Sequence, residues 1–193
     1  DRVLLATKGG HVRTDGGKIR MLPNGISPRF FSSDRQAFVP NTGLNGPFVL
    51  MVGAISPYKN QLALVKALEK RDLPIVLIGS AQRQHEDYLQ ELLSSPRVHW
   101  LGQLDHNDML LASAYAAASV LALPSQGEVY PLVVLEALAA GTPVVMTNES
   151  ALSLPNSGFA LRQLRWNDTD ALCTAIVDFV ARPPRRAEVR ALV

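Results

Sequence analysis

The sequence predicts an α/β protein built on a doubly wound parallel sheet, and three observations carry that reading. From Phe48 onward, short runs that are apolar throughout alternate with stretches whose apolar residues recur at helical spacing. Strands apolar on both sides read as buried strands of a parallel sheet covered on two faces, since a half-exposed strand would alternate polar and apolar residues. Gly and Pro punctuation divides the chain into these segments.

Each element follows in order. FVLMVGAI (48–55) is a buried strand stopped by Ser56-Pro57, and Asn60 to Arg71 carries Leu62, Leu64, Val65 and Leu68 on one helical stripe. LPIVLIG (73–79) is the second strand and His85 to Leu93 the second helix. VHWLG (98–102), an Ala-rich helix from Asn107 to Ala118 and SVLALP (119–124) come next. The helix from Pro131 to Ala140 has Pro in its first turn and Gly141 just past its end, where each residue is best tolerated. TPVVMT (142–147), a short GFALR (158–162) and a long helix from Asp168 to Ala181 complete the alternation. Ahead of it, VLLA (3–6) is strand-like, GGHVRTDGGK (9–18) is soft, and 21–47 reads as turns and an irregular connector. The expected plan is therefore residues 1–47 as the end of a preceding region plus connector, 48–181 as a Rossmann-like domain, and 182–193 as a tail.

Composition bounds the function classes. With 47% hydrophobic residues and a net charge of only +2, the 193-residue chain can bury a core and is not disordered. Its longest apolar stretches fall short of the roughly 20 residues a spanning helix needs. Cys173 is the single cysteine, which excludes a disulfide framework and a cysteine-based zinc cluster. No signal peptide is read at the start, so the expected setting is cytoplasmic. Residues 1–47 hold seven Lys/Arg against three Asp. That basic arm reads first as a solvated connector, and next as a peripheral contact with an anionic membrane face. No nucleic-acid module accompanies it.

Ligands of such sheets bind beyond the carboxyl ends of the strands, so the turns after strands are where chemistry is expected. The strongest signal is GEVYPLVVLEALAAGTPVV (127–145). Glu128 lies in the turn before a helix that starts near Pro131, and Glu136 sits roughly 7–8 Å along that helix. Free N–H groups near Leu132 and Val133, with the helix dipole, make an anion site at its start. A diphosphate there would set a ribose near Glu136, whose carboxylate can accept from vicinal hydroxyls. A solvated loop carboxylate and an exposed helical one are the plain alternative. Against it, Glu136 lies inside LVVLEALAA, where a bare carboxylate is costly without partners.

The E-x7-E spacing of Glu128 and Glu136 within PSQGEVYPLVVLEALAAGTPVVMT resembles the signature of retaining GT-B glycosyltransferases of the large family 4 group. KIRMLPNGISPRFF (18–31) resembles that family's connector, and FVLMVGAISPYKNQ (48–61) its strand, turn and lysine. PIVLIGS (74–80), VHWLGQL (98–104) and SVLALPS (119–125) follow in the family's order, so the likeness covers about residues 18–181. It implies a donor-binding half of a GT-B fold that takes a nucleotide-diphosphate sugar without a metal or other cofactor. By the same resemblance Lys59 contacts the diphosphate, Glu136 the ribose and Glu128, the catalytic candidate, the donor sugar. Backbone at Gly53, Gly79, Leu132 and Val133 completes the donor site. The acceptor, a glycan, lipid-linked sugar or small molecule, would bind through a preceding domain, with polysaccharide or glycan biosynthesis as the setting.

Two positions depart from the family. Ala54 stands where an arginine is usual, which leaves more of the diphosphate to Lys59, and TNESALSLPNSG (147–158) replaces a usual Gly-Gly. Two rivals share these residues: a nucleotide-sugar epimerase of GT-B architecture and a non-catalytic nucleotide-sugar binding module. Other motifs carry less. Asp168-Thr169-Asp170 has the spacing of a metal-binding pair, but its place before ALCTAIVDFV predicts a helix cap. His11, His85, His99 and His106 lack zinc-ligand spacing and are left as ordinary polar residues. Asn148-Glu-Ser and Asn167-Asp-Thr match the N-glycosylation pattern by chance in a cytosolic protein. The geometry expected is therefore Glu128 and Glu136 flanking one helix start, with Lys59 across the cleft.

Overall fold

A computed structural model describes residues 25–193 and, as backbone alone, two short strands paired in parallel, β1 (Val3–Leu5) and β2 (Ile19–Met21). VLLA thus contains β1, while the soft run 9–18, His11 included, lies outside the described residues. Two short helices follow, α1 (Pro28–Phe31) and α2 (Phe38–Thr42). The alternating unit is β3 (Val49–Val52), α3 (Gln61–Ala67), β4 (Ile75–Ile78), α4 (Glu86–Leu93), β5 (Val98–Trp100), α5 (Met109–Ala117) and β6 (Val120–Leu123). It continues with α6 (Leu132–Ala139), β7 (Val144–Thr147), β8 (Leu161–Leu164) and α7 (Thr169–Ala181), and α8 (Arg186–Arg190) closes the chain.

The six strands β3–β8 form one open sheet in the order β5-β4-β3-β6-β7-β8, every pair parallel. From β3 the chain winds outward to β5, returns through α5 to β6 and winds out the other way. Helices α3, α4 and α7 pack together, and α5 and α6 pack with α1, α2 and α8. β4, β6 and β7 are buried along their length and β3 up to Val52, as their uniformly apolar sequences require. α6 is apolar nearly all round and is buried from Val134 to Ala139, Glu136 included.

Two segments differ from the sequence reading. The connector is not irregular: α1 and α2 bury Phe30 and Phe38, and the Phe38 ring stacks on Phe48 at 4.8 Å. Two large aromatics gain more from the core than a solvated connector would allow, so packing begins well before Phe48. Residues 182–193 contain α8, which buries Val189. Its Arg186 donates to the carbonyls of Ala118 (3.2 Å) and Ala140 (3.3 Å), where the negative ends of α5 and α6 come together. Asp168, by contrast, is the cap expected, accepting from the Ala171 amide at 2.9 Å. Further along α7, Asp178 pairs with Arg162 of β8 at 2.8 Å and with Arg182. These bonds, Arg182's first, hold its carboxyl below the usual range.

Candidate functional site

The strand order reverses between β3 and β6, so the loops leaving these two strands splay apart and leave a crevice at the carboxyl edge. Both sequence-predicted loops border it. After β3 the chain turns through Ser56–Asn60, with the Lys59 and Asn60 amides donating to the Ser56 carbonyl at 3.0 and 3.2 Å. Asn60 adopts a left-handed backbone (φ 63°), a conformation asparagine tolerates. Its side-chain amide reaches the carbonyls of Pro124 and Trp166, both at 3.0 Å. From the other side, the Gln126 amide donates to the Tyr58 carbonyl at 3.0 Å. The loops are thereby tied to each other, and the tie brings two distant charges together: Lys59 Nζ lies 2.7 Å from Glu128 Oε1. Glu128 is 11% exposed and Lys59 25%.

Glu128 is fixed by its backbone. Its amide donates to the Glu149 carbonyl at 2.7 Å, and the Val129 carbonyl accepts from the Ala151 amide at 3.1 Å. The segment that replaces the usual Gly-Gly therefore buttresses the catalytic candidate. Four residues on, α6 begins. Pro131 offers no side-chain cap, and the Leu132 and Val133 amides donate to no backbone acceptor among the described residues. With Leu132 44% exposed, this helix start faces the crevice with unpaired N–H groups.

Glu136, the fifth residue of α6, is 7% exposed and has the partners its apolar surroundings demand. The Tyr115 hydroxyl donates to Oε2 at 2.7 Å, and His106 Nδ1 stands 3.6 Å from Oε1. Tyr115 is itself fully buried, with Phe30 edge-on against its ring. Burial, and then the Glu136 charge, push the phenol well above its ordinary range, so it stays a donor. Oε1 is beyond hydrogen-bond distance of His106 and keeps its acceptor capacity. His106, read from the sequence as an ordinary polar residue, thus sits beside a predicted site residue. Neither it nor Tyr115 was found by spacing, because they reach Glu136 from a loop and a helix 30 and 21 residues upstream. A lone tyrosine in the Ala-rich run was the one available hint.

The glycines act through the backbone. Gly79 has φ 151°, and a Cβ there would lie 1.9 Å from the Gly53 carbonyl oxygen. The ends of β3 and β4 can approach only because that position is glycine. Gly53, φ 152°, lies beneath the Lys59 stem, whose Cε would stand 3.8 Å from an added Cβ. Ala54 contributes its carbonyl, which accepts from the buried Gln61 amide at 2.9 Å. No group of three or more His, Cys, Asp or Glu among the described residues is placed to hold a metal. Also among them, no helix is long and apolar enough to cross a membrane.

Known proteins share this fold. The chain aligns with the solved structure of Anabaena HepE in complex with UDP over 91% of its length and 51% of that chain, at 21% identity and a TM-score of 0.77. It aligns with sucrose-phosphate synthase from Thermosynechococcus elongatus over 92% of its length and 46% of that chain, at 29% identity and a TM-score of 0.74. By sequence it is 34% identical over 156 residues to a D-inositol 3-phosphate glycosyltransferase of Nocardia farcinica, covering 72% of this chain and 34% of that protein. The chain spans less than half the length of the sequence relatives it matches. The model of the family described as "Glycosyl transferases group 1" matches residues 32–153, a stretch running from the connector through both cleft loops and α6 to the buttress of Glu128, and the chain belongs to that family.

Proposed function

We propose that this chain is the donor-binding half of a retaining, metal-independent family 4 glycosyltransferase, which takes its sugar from a nucleotide diphosphate. The observation that carries this is the meeting of Lys59 and Glu128 across the switch point, beside the unpaired amides of Leu132 and Val133. The diphosphate lies on those amides and Lys59, the ribose hydroxyls donate to Glu136 Oε1, and the sugar faces Glu128. When the sugar–phosphate bond breaks, its electron pair leaves with the diphosphate. The lysine and the helix start then stabilise the developing negative charge. The UDP held by the HepE structure supports a nucleotide in this crevice.

The acceptor is a glycan, a lipid-linked sugar or a small molecule, bound by a second domain in a cytoplasmic setting with peripheral membrane contact. Ala54 keeps one rival reading alive: without a second cation on that turn, the fold could serve as a non-catalytic nucleotide-sugar binding module.

Calorimetry against a panel of nucleoside diphosphates tests the donor reading. One or more should bind, and Glu136→Ala should weaken binding by about 1.5–3 kcal/mol, the range for a hydrogen bond to a charged group. A folded sample that binds none of them would remove the donor site.

A further inference from the structure

We propose that Lys59 and Glu128 form an exchange pair, through which the site distinguishes a sugar-loaded nucleotide from a spent nucleoside diphosphate. The inference rests on the donor reading above. In the free site the lysine is already occupied, 2.7 Å from Glu128 Oε1. A diphosphate on the Leu132 and Val133 amides must compete with that carboxylate for the same ammonium.

The two partners are not equally free to move. Glu128 is pinned from both sides by the Glu149 carbonyl and the Val129–Ala151 bond, on a short side chain. Lys59 carries its charge on a flexible four-carbon stem that passes over Gly53, where no side chain stands in its way. The lysine therefore does the switching. Once it turns to the phosphates, Glu128, 11% exposed, is left without its cation in a poorly solvated position. Sugar hydroxyls can donate to the stranded carboxylate, and a nucleoside diphosphate has no such groups to offer there. The loaded donor meets both residues, whereas the spent one satisfies Lys59 at the expense of Glu128. After transfer, Glu128 reclaims the lysine and weakens the hold on the product.

The E-x7-E resemblance on its own separates a sugar residue from a phosphate residue. The ion pair couples them, so removing the carboxylate should tighten binding of the free diphosphate. The test is a four-corner cycle of wild type, Glu128→Gln, Lys59→Ala and the double variant. Calorimetry would use the nucleoside diphosphate and the nucleotide-sugar that wild type binds best, with circular dichroism confirming that each variant folds. Glu128→Gln should bind the diphosphate about fivefold to tenfold tighter, a gain on the scale of a partly sheltered ion pair. Its preference for the sugar-loaded form should fall, and the gain should vanish when Lys59 is absent. An equal gain in the Lys59→Ala background would show plain repulsion between carboxylate and phosphate and overturn the exchange. No gain, in a protein whose wild type binds the diphosphate, would overturn it as well. A wild type that binds no nucleoside diphosphate would instead overturn the donor reading beneath it.

Discussion

Tyr115 shows how a single residue ties stability to the site. Its hydroxyl donates to Glu136 Oε2 at 2.7 Å from a fully buried ring, and burial followed by the Glu136 charge raises its titration. A phenol whose folded titration lies above its unfolded value of about 10 contributes stability that is complete below about pH 10. That contribution is lost as pH rises through the folded value, because the unfolded chain releases the proton first. Tyr115→Phe should therefore flatten the alkaline limb of stability against pH. Tyr88, also raised by burial, should preserve part of the slope. At neutral pH the variant leaves a buried carboxylate oxygen unpaired and should cost about 1–3 kcal/mol. Denaturant titrations between pH 7 and 11 measure both effects, and parallel curves for the two proteins would contradict the account. The positions of Glu128 and Glu136, before and along one helix, were legible because turn residues and helical spacing are local signals. Lys59 stood out only through the family resemblance of its turn. Tyr115 and His106 were not legible, since their partnership with Glu136 exists only after α5 and α6 pack.

Among the described glycines, Gly79 marks the tightest approach, where the end of β4 meets the end of β3. Gly79 has φ 151° and no room for a methyl group against the Gly53 carbonyl. Gly79→Ala must push β4 away from β3 or distort the turn that carries Lys59. Backbone strain and overpacking together should cost about 3 kcal/mol or more. Nucleotide affinity should fall with it, because Lys59 is positioned by the same turn. Chemical denaturation and calorimetry on one sample check this, and a loss under about 1 kcal/mol would show that the strand ends yield easily. Strands and helices were read in the right order with ends shifted by a few residues, since patterning marks apolar faces better than it marks caps. The connector was the larger miss. Its Gly and Pro content speaks for turns, while two phenylalanines spaced eight apart bury themselves against α5 and α6 regardless of local propensity.

For the whole molecule, the crevice lies at one edge of the sheet and faces outward. In the proposed donor reading the phosphate and ribose contacts all come from residues after Phe48, so the 193-residue chain should bind a nucleoside diphosphate unaided. Affinity should be modest, because a half-open cleft leaves the ligand partly solvated and weakens each electrostatic contact. Sugar transfer should be absent, since in the proposed reading a second domain holds and positions the acceptor. A donor-consumption assay with and without candidate acceptors measures this directly. Acceptor-dependent turnover by this chain would place the acceptor site within it.

What the sequence determined by itself was whatever depends on local order: the alternation that dictates a parallel sheet, the helix start after β6, and the residues at the carboxyl ends of strands. Each of these follows from side-chain periodicity and from a few turn residues, which act over one or two turns of chain. Tertiary structure decided which charges meet. Lys59 and Glu128 are 69 residues apart, and the reversal of strand order between β3 and β6 sets their loops side by side so that Nζ and Oε1 meet at 2.7 Å. It also decided that Glu136 is a buried acceptor rather than a surface carboxylate, because the face of α6 it occupies lies against Tyr115 and His106. A hydrogen-bonded ion pair needs its partners within about 4 Å, so spacing along the chain does not reveal contacts that sheet topology creates.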